Sequence, residues 1–178
     1  MNNLIKFILL LSFVFMISCK KENVNNPIET QPVQKEKISG FVQKGPFISG
    51  TSISINELKN DLSQTGKTFN TQILDNKGSF EMNNIELVSN YVSLRADGFY
   101  FNEILGERSN SQITLYALSD ISDKITMNVN ILSHLEKTRV EYLISQGIEF
   151  QEAKKQAQTD ILDIFKFSSI SIDPSSTS

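Results

Sequence analysis

At 178 residues and net charge −3, the chain is long enough for one domain and an appendage, and it is poor in reactive groups. A single histidine excludes a His-cluster metal site, and a single cysteine excludes an internal disulfide. A mildly acidic balance without basic clusters argues against nucleic acid and against electrostatic attraction to anionic lipid.

The first element is an apolar run from Phe7 to Ile17, preceded by Lys6 and closed by Ser18 and Cys19. Eleven helical residues rise about 16 Å, roughly half of a bilayer core, so the run has the dimensions of a secretory signal over residues 1–18. Without residues 1–18, which carry only Lys6, 16 basic residues face 20 acidic ones and the charge is −4. A plain signal needs small residues at −3 and −1 of its cut, and Met16 does not fit. A buried core cysteine is the usual fate of a lone thiol; here Lys20-Lys21-Glu22 follows at once.

Met16-Ile17-Ser18-Cys19 resembles a bacterial lipobox, with Met16 where that motif usually prefers leucine. The resemblance implies that Cys19 is acylated and that the membrane is a partner through this lipid. Two or more acyl chains anchor stably at about 0.8 kcal/mol per buried methylene. Lys20 stands where an aspartate often retains lipoproteins in the inner membrane, which implies outer-membrane placement; the cell surface and the periplasmic face both stay open. With Cys19 acylated, no thiol remains for metal or nucleophilic work.

Residues 19–37 read as a disordered tether: two prolines, few apolar residues and no period. From Ile38 short alternating runs between turn residues predict a β-sandwich over residues 38–122. Ile38–Gln43 is its first strand. Thr51 to Leu58 alternates, with Ile53 and Ile55 on one face and Ser52, Ser54 and Asn56 on the other. Thr68–Leu74 and Ser79–Met82 predict a hairpin around Asp75-Asn76-Lys77-Gly78. Tyr91–Ala96 and Phe99–Ile104 predict another across Asp97-Gly98, a two-residue turn with positive φ at both positions. Gln112–Leu118 is a further strand.

The run Gly40 to Ile55 resembles the opening of a carboxypeptidase regulatory-like, transthyretin-type domain: a first strand, a glycine turn, then a strand of alternating aliphatics. Asp75 to Glu81 and Tyr91 to Phe99 resemble its later turn-and-strand signatures, so the match spans residues 37–105. The resemblance implies a transthyretin-like or Ig-like antiparallel β-sandwich. Such modules serve as non-catalytic accessories in many proteins, so it implies no specific activity.

After Asp123 the period becomes helical, predicting a helical hairpin over residues 123–167 and a disordered tail over residues 168–178. Met127, Ile131, Leu132, Leu135, Tyr142 and Leu143 mark one apolar stripe; Phe150, Ala153, Ala157, Ile161 and Ile164 mark the other. Lys154, Lys155, Gln158 and Asp163 face away from it. Asn128 and Asn130 are candidate caps and Gly147 a stop. The helical run from Asn128 resembles longer Bacteroidota-type surface lipoproteins, in which a transthyretin-like module precedes helices that continue further. That likeness implies an incomplete helical domain, loosely packed over residues 124–170.

Several constellations carry candidate chemistry. His134 is best read as a packing, capping or solvated residue. Glu103 with Glu107, and Asp120 with Asp123, are carboxylate pairs without further ligands or a cleft. Tyr91, Tyr100 and Tyr116 are the candidate ligand-binding aromatics, as an exposed platform for sugars. The expected whole is a mainly β protein with appended α structure and no cofactor: a non-enzymatic lipoprotein acting as a structural or interaction module. Two alternatives stand beside it. One is a glycan- or protein-binding accessory of an outer-membrane nutrient-capture system, with an extracellular partner. The other is the N-terminal fragment of a larger enzyme.

Overall fold

The computed structural model describes residues 32–166. The signal segment, Cys19, most of the tether and the serine-rich tail lie outside them. The architecture is an antiparallel β-sandwich followed by a helical hairpin. One sheet is four-stranded, in the order β3 (Gln64–Gln72), β2 (Ser52–Leu58), β5 (Tyr91–Gly98), β8 (Ile113–Asp120). The other is β4 (Ser79–Leu87), β1 (Val33–Gln43), β9 (Val129–Asn130). A small separate hairpin joins β6 (Phe101–Asn102) to β7 (Glu107–Arg108). Helices α1 (Ile131–Ser145) and α2 (Phe150–Ile164) close the chain.

Alternation makes the sandwich. In the four-stranded sheet Ile55, Leu94 and Ala117 stand in register across three strands and point inward. They meet Ile38, Phe80, Met82 and Ile85 from the other sheet. Each such buried aliphatic contributes about 1.5–3 kcal/mol, before the entropy of ordering the chain is subtracted.

Four sequence expectations need correction. The first strand begins at Val33, so residues 33–37 of the expected tether are paired with β4 from Val33↔Leu87 to Lys37↔Asn83. Backbone ladders ask only for a partner strand, and β4 is long enough to supply one. The expected hairpin around Asp75-Asn76-Lys77-Gly78 is instead a crossover between sheets, because β3 pairs with β2 while β4 pairs with β1. Asp75 shapes this turn by accepting bonds from Lys77 N, Ser79 N and Ser79 Oγ, and Gly78 (φ +80°) lies so close to Val42 O that a Cβ would sit 2.4 Å from it. Asp97-Gly98 is not a hairpin turn either. Strand β5 runs on through Gly98, which pairs with Ile113. The demand for glycine there is steric: a Cβ would stand 2.3 Å from Thr51 Oγ1.

The fourth correction concerns the helices, which are docked rather than loosely packed. Leu58 and Leu118, on the outer face of the four-stranded sheet, form one buried cluster with Val140, Leu143, Phe150, Ala153 and Ala157. Helix α1 starts at Asn130, whose side chain accepts from Ser133 N at 2.9 Å while Asn130 N donates to Ser133 Oγ at 2.9 Å. That reciprocal cap fixes the phase of the helix. The buried stripe is Ser133, Glu136, Val140 and Leu143, leaving Leu135 and Tyr142 exposed. On α2 Ile164 is exposed, whereas Lys154, expected outside, is buried and paired with the fully buried Glu136. Asn128 is no cap: its side chain accepts from Phe41 N at 2.9 Å and secures the end of β1.

Candidate functional site

The three candidate tyrosines do not form a row. Tyr91 begins β5 and is half-buried, stacked on Phe150 with ring centroids 4.3 Å apart. Tyr116, also on the outer face, packs against His134 at 5.9 Å, with Lys137 Nζ 5.3 Å from its centroid. His134 is thus a packing residue. Tyr100 lies past the other end of β5, beside Phe47, with Lys44 Nζ 3.0 Å from its hydroxyl. The two strand tyrosines point outward, and the helical hairpin takes that surface.

Tyr91 does border a cleft of about 820 Å³ at the end of the sandwich where β1 begins. Val33, Val88 and Tyr91 supply apolar wall, while Lys59, Asn60 and Asn90 supply polar groups. Burial raises the Tyr91 hydroxyl above its ordinary value, and the charges of Asp120 and Glu149 raise it further. The phenol therefore stays protonated at neutral pH and is available as a donor.

Glu57 underpins this pole and was not singled out from the sequence. Its carboxylate accepts from Thr65 Oγ1 at 2.6 Å, from Ser89 N at 3.0 Å and from Val88 N. Burial pushes the carboxyl up, but the bonds from Thr65, Ser89 and Val88 and the charge of Lys67 outweigh it, so the net shift is downward. Glu57 thereby ties the β4–β5 turn to β2 and β3. A signal existed: alternation breaks at Glu57-Leu58, where the acid takes the inward parity and the leucine the outward one.

The opposite pole carries the β6–β7 hairpin. Its tip exposes Ile104 at 95% and Leu105 at 65%, and Phe101 at its base is 38% exposed. Glu103 and Glu107 flank the pair, and both are exposed. Asp120 does not join Asp123 as a ligand pair; its carboxylate accepts from Ser122 N at 2.8 Å and from Gln151 Nε2. Among the described residues no group of three or more His, Cys, Asp or Glu side chains is placed to hold a metal ion, and no helix is long and apolar enough to cross a membrane. No protein family, no curated protein and no solved structure matches the chain.

Proposed function

We propose that this protein is a lipoprotein of the outer membrane, anchored through Cys19, whose sandwich and helices act as a non-enzymatic interaction module. The observation that carries this reading is the apolar run Phe7–Ile17 closed by Ser18 and Cys19. In this reading residues 20–32 link Cys19 to β1, which begins at Val33, over at most about 45 Å when fully extended. The described chain enters the sandwich at the Val33 pole, and the β6–β7 hairpin stands at the opposite one. Labelling with an alkyne fatty acid should tag the wild type and not Cys19→Ser; equal labelling of both would refute the anchor. Protease shaving of intact cells distinguishes the outer surface from the periplasmic face.

A second reading, a ligand-binding accessory of a nutrient-capture system, is favoured by the mixed polar and apolar cleft at Tyr91. Hexaoses added to the intact protein should then protect the β4–β5 turn from hydrogen exchange. A turn indifferent to every sugar tried leaves the glycan form of this reading without support.

A further inference from the structure

We infer that the β6–β7 hairpin is a preformed docking tip, which places Ile104 and Leu105 in an apolar, basic-rimmed pocket on a protein partner. The inference deepens the reading of the chain as an interaction module and rests on it.

Exposure of Ile104 and Leu105 is costly in water, and the local structure displays them rather than hiding them. Asn102 Oδ1 accepts from Ile104 N at 3.1 Å and Leu105 N at 3.3 Å, and Asn102 O accepts from Gly106 N at 2.8 Å. Gly106 takes φ +70°, closing the turn in a conformation that suits glycine. The base is equally fixed: Phe101 N donates to Pro46 O and Ser109 N to Tyr100 O, both at 2.8 Å. A Cβ on Gly45 would stand 2.1 Å from Phe101 O, so the 44–47 segment is packed directly under the hairpin. A tip held this way loses little conformational entropy on binding.

Charge selects the occupant. Glu103 and Glu107 flank the apolar pair, whereas Lys44 and Arg108 sit on aromatic rings at the base of the hairpin. Lys44 Nζ is 4.3 Å from the Tyr100 centroid, and the Arg108 guanidinium is 4.2 Å from that of Phe99. The leading surface is therefore apolar and acidic, which disfavours an anionic lipid surface and fits a pocket rimmed by Lys or Arg. A second copy of this chain fits poorly. Its cleft near Val33 sets Lys59 beside Asp61, so the rim is not the basic one that the tip calls for.

The test replaces Ile104 in the full chain with the photo-crosslinker p-benzoylphenylalanine and irradiates intact cells of the source organism. One discrete protein adduct is expected, absent when the crosslinker replaces exposed Leu74 on a different loop. The adduct alone proves nothing. The protein identified in it, once purified, should bind the wild type at least tenfold more tightly than Ile104→Ser or Glu103→Lys/Glu107→Lys. The thermal midpoints of these variants should stay unchanged. The inference is overturned by no adduct, by adducts only to lipid or to a second copy, or by a partner that binds Ile104→Ser as well as wild type. Fatty-acid labelling of Cys19 is read separately, so the anchor and the tip can fail independently.

Discussion

The two faces of the four-stranded sheet are built on different principles. Its inner face is an aliphatic field, with Ile53, Ile55, Val92, Leu94, Ala96, Leu115 and Ala117 meeting the second sheet, and polar Glu57 and Ser119 only at its Val33 end. Its outer face is mixed: Ser54, Arg95 and Tyr116 stand in one row, Leu58, Tyr91 and Asp120 in another. Helices cover it through a small apolar cluster and are joined to each other by a buried ion pair. The inner face needs only apolar volume at every second residue, and many aliphatics satisfy that. The outer face depends on particular partners, so single changes there should have specific consequences.

The sharpest way to break this contrast is at Glu136 and Lys154, which join α1 to α2 in the interior. Lys154→Met removes the buried ammonium that pairs with the Glu136 carboxylate, at an expected cost of about 3–5 kcal/mol in denaturant unfolding. Replacing both residues, as Glu136→Leu with Lys154→Met, should recover most of that loss. A small effect of the single change would mean that the pair does not bind the helices together. On the inner face, Leu94→Ala should cost about 2–5 kcal/mol. Hydrogen exchange should then rise in both sheets together, whereas Lys154→Met should raise it first in α1 and α2.

Gly98→Val tests where the strand ends. The added side chain meets Thr51, and crowding of this kind costs about 1–3 kcal/mol. Thr51→Ala should relieve part of it, which a loss of turn geometry would not allow. Glu57 adds a pH signature at the sandwich end. Its folded-state pKa is depressed below the ordinary 4.5. The stability it contributes is therefore complete above that value and lost as pH falls through the depressed one. Between pH 5 and 3, wild type should lose stability more steeply than Glu57→Gln, as followed by thermal midpoints. At pH 7 the substitution itself should cost about 1–3 kcal/mol, since the Val88 and Ser89 amides lose a charged acceptor. The smallest expected effect is Ile104→Ser, within about 0.5 kcal/mol, because Ile104 is 95% exposed.

The inner face was legible from residue order alone. Alternation in Ile53–Ile55 and in β5 reports a half-buried strand wherever the strand happens to pair, and helical periodicity together with Gly147 located two helices and their joint. The segment Lys6–Cys19 is likewise an argument from sequence and stays one, since it lies outside the described residues. Pairing was not legible. Local turn residues at 75–78 and at Asp97-Gly98 suit a hairpin, but they do not encode which strand is next in the sheet. Only the tertiary structure decided that the first is a crossover and the second is continuous strand.

The same limit applies to the helices and to the tyrosines. Periodicity shows that a helix has an apolar side, but the rotation of α1 was set by the Asn130–Ser133 cap and by the surface it met. That rotation buried Glu136 and exposed Leu135 and Tyr142. Lys154 looked like a solvent residue because a lone charge is costly to bury, and the sequence holds no sign that Glu136 would face it. Tyr91 and Tyr116 share a sheet face by parity, yet the helices folded back over it, while Ile104 and Leu105 stayed exposed at the opposite pole. Composition and spacing act over a few residues and so determined the strands and the helices. Contacts between residues far apart in the chain chose the partners, and through them the surface that remains open.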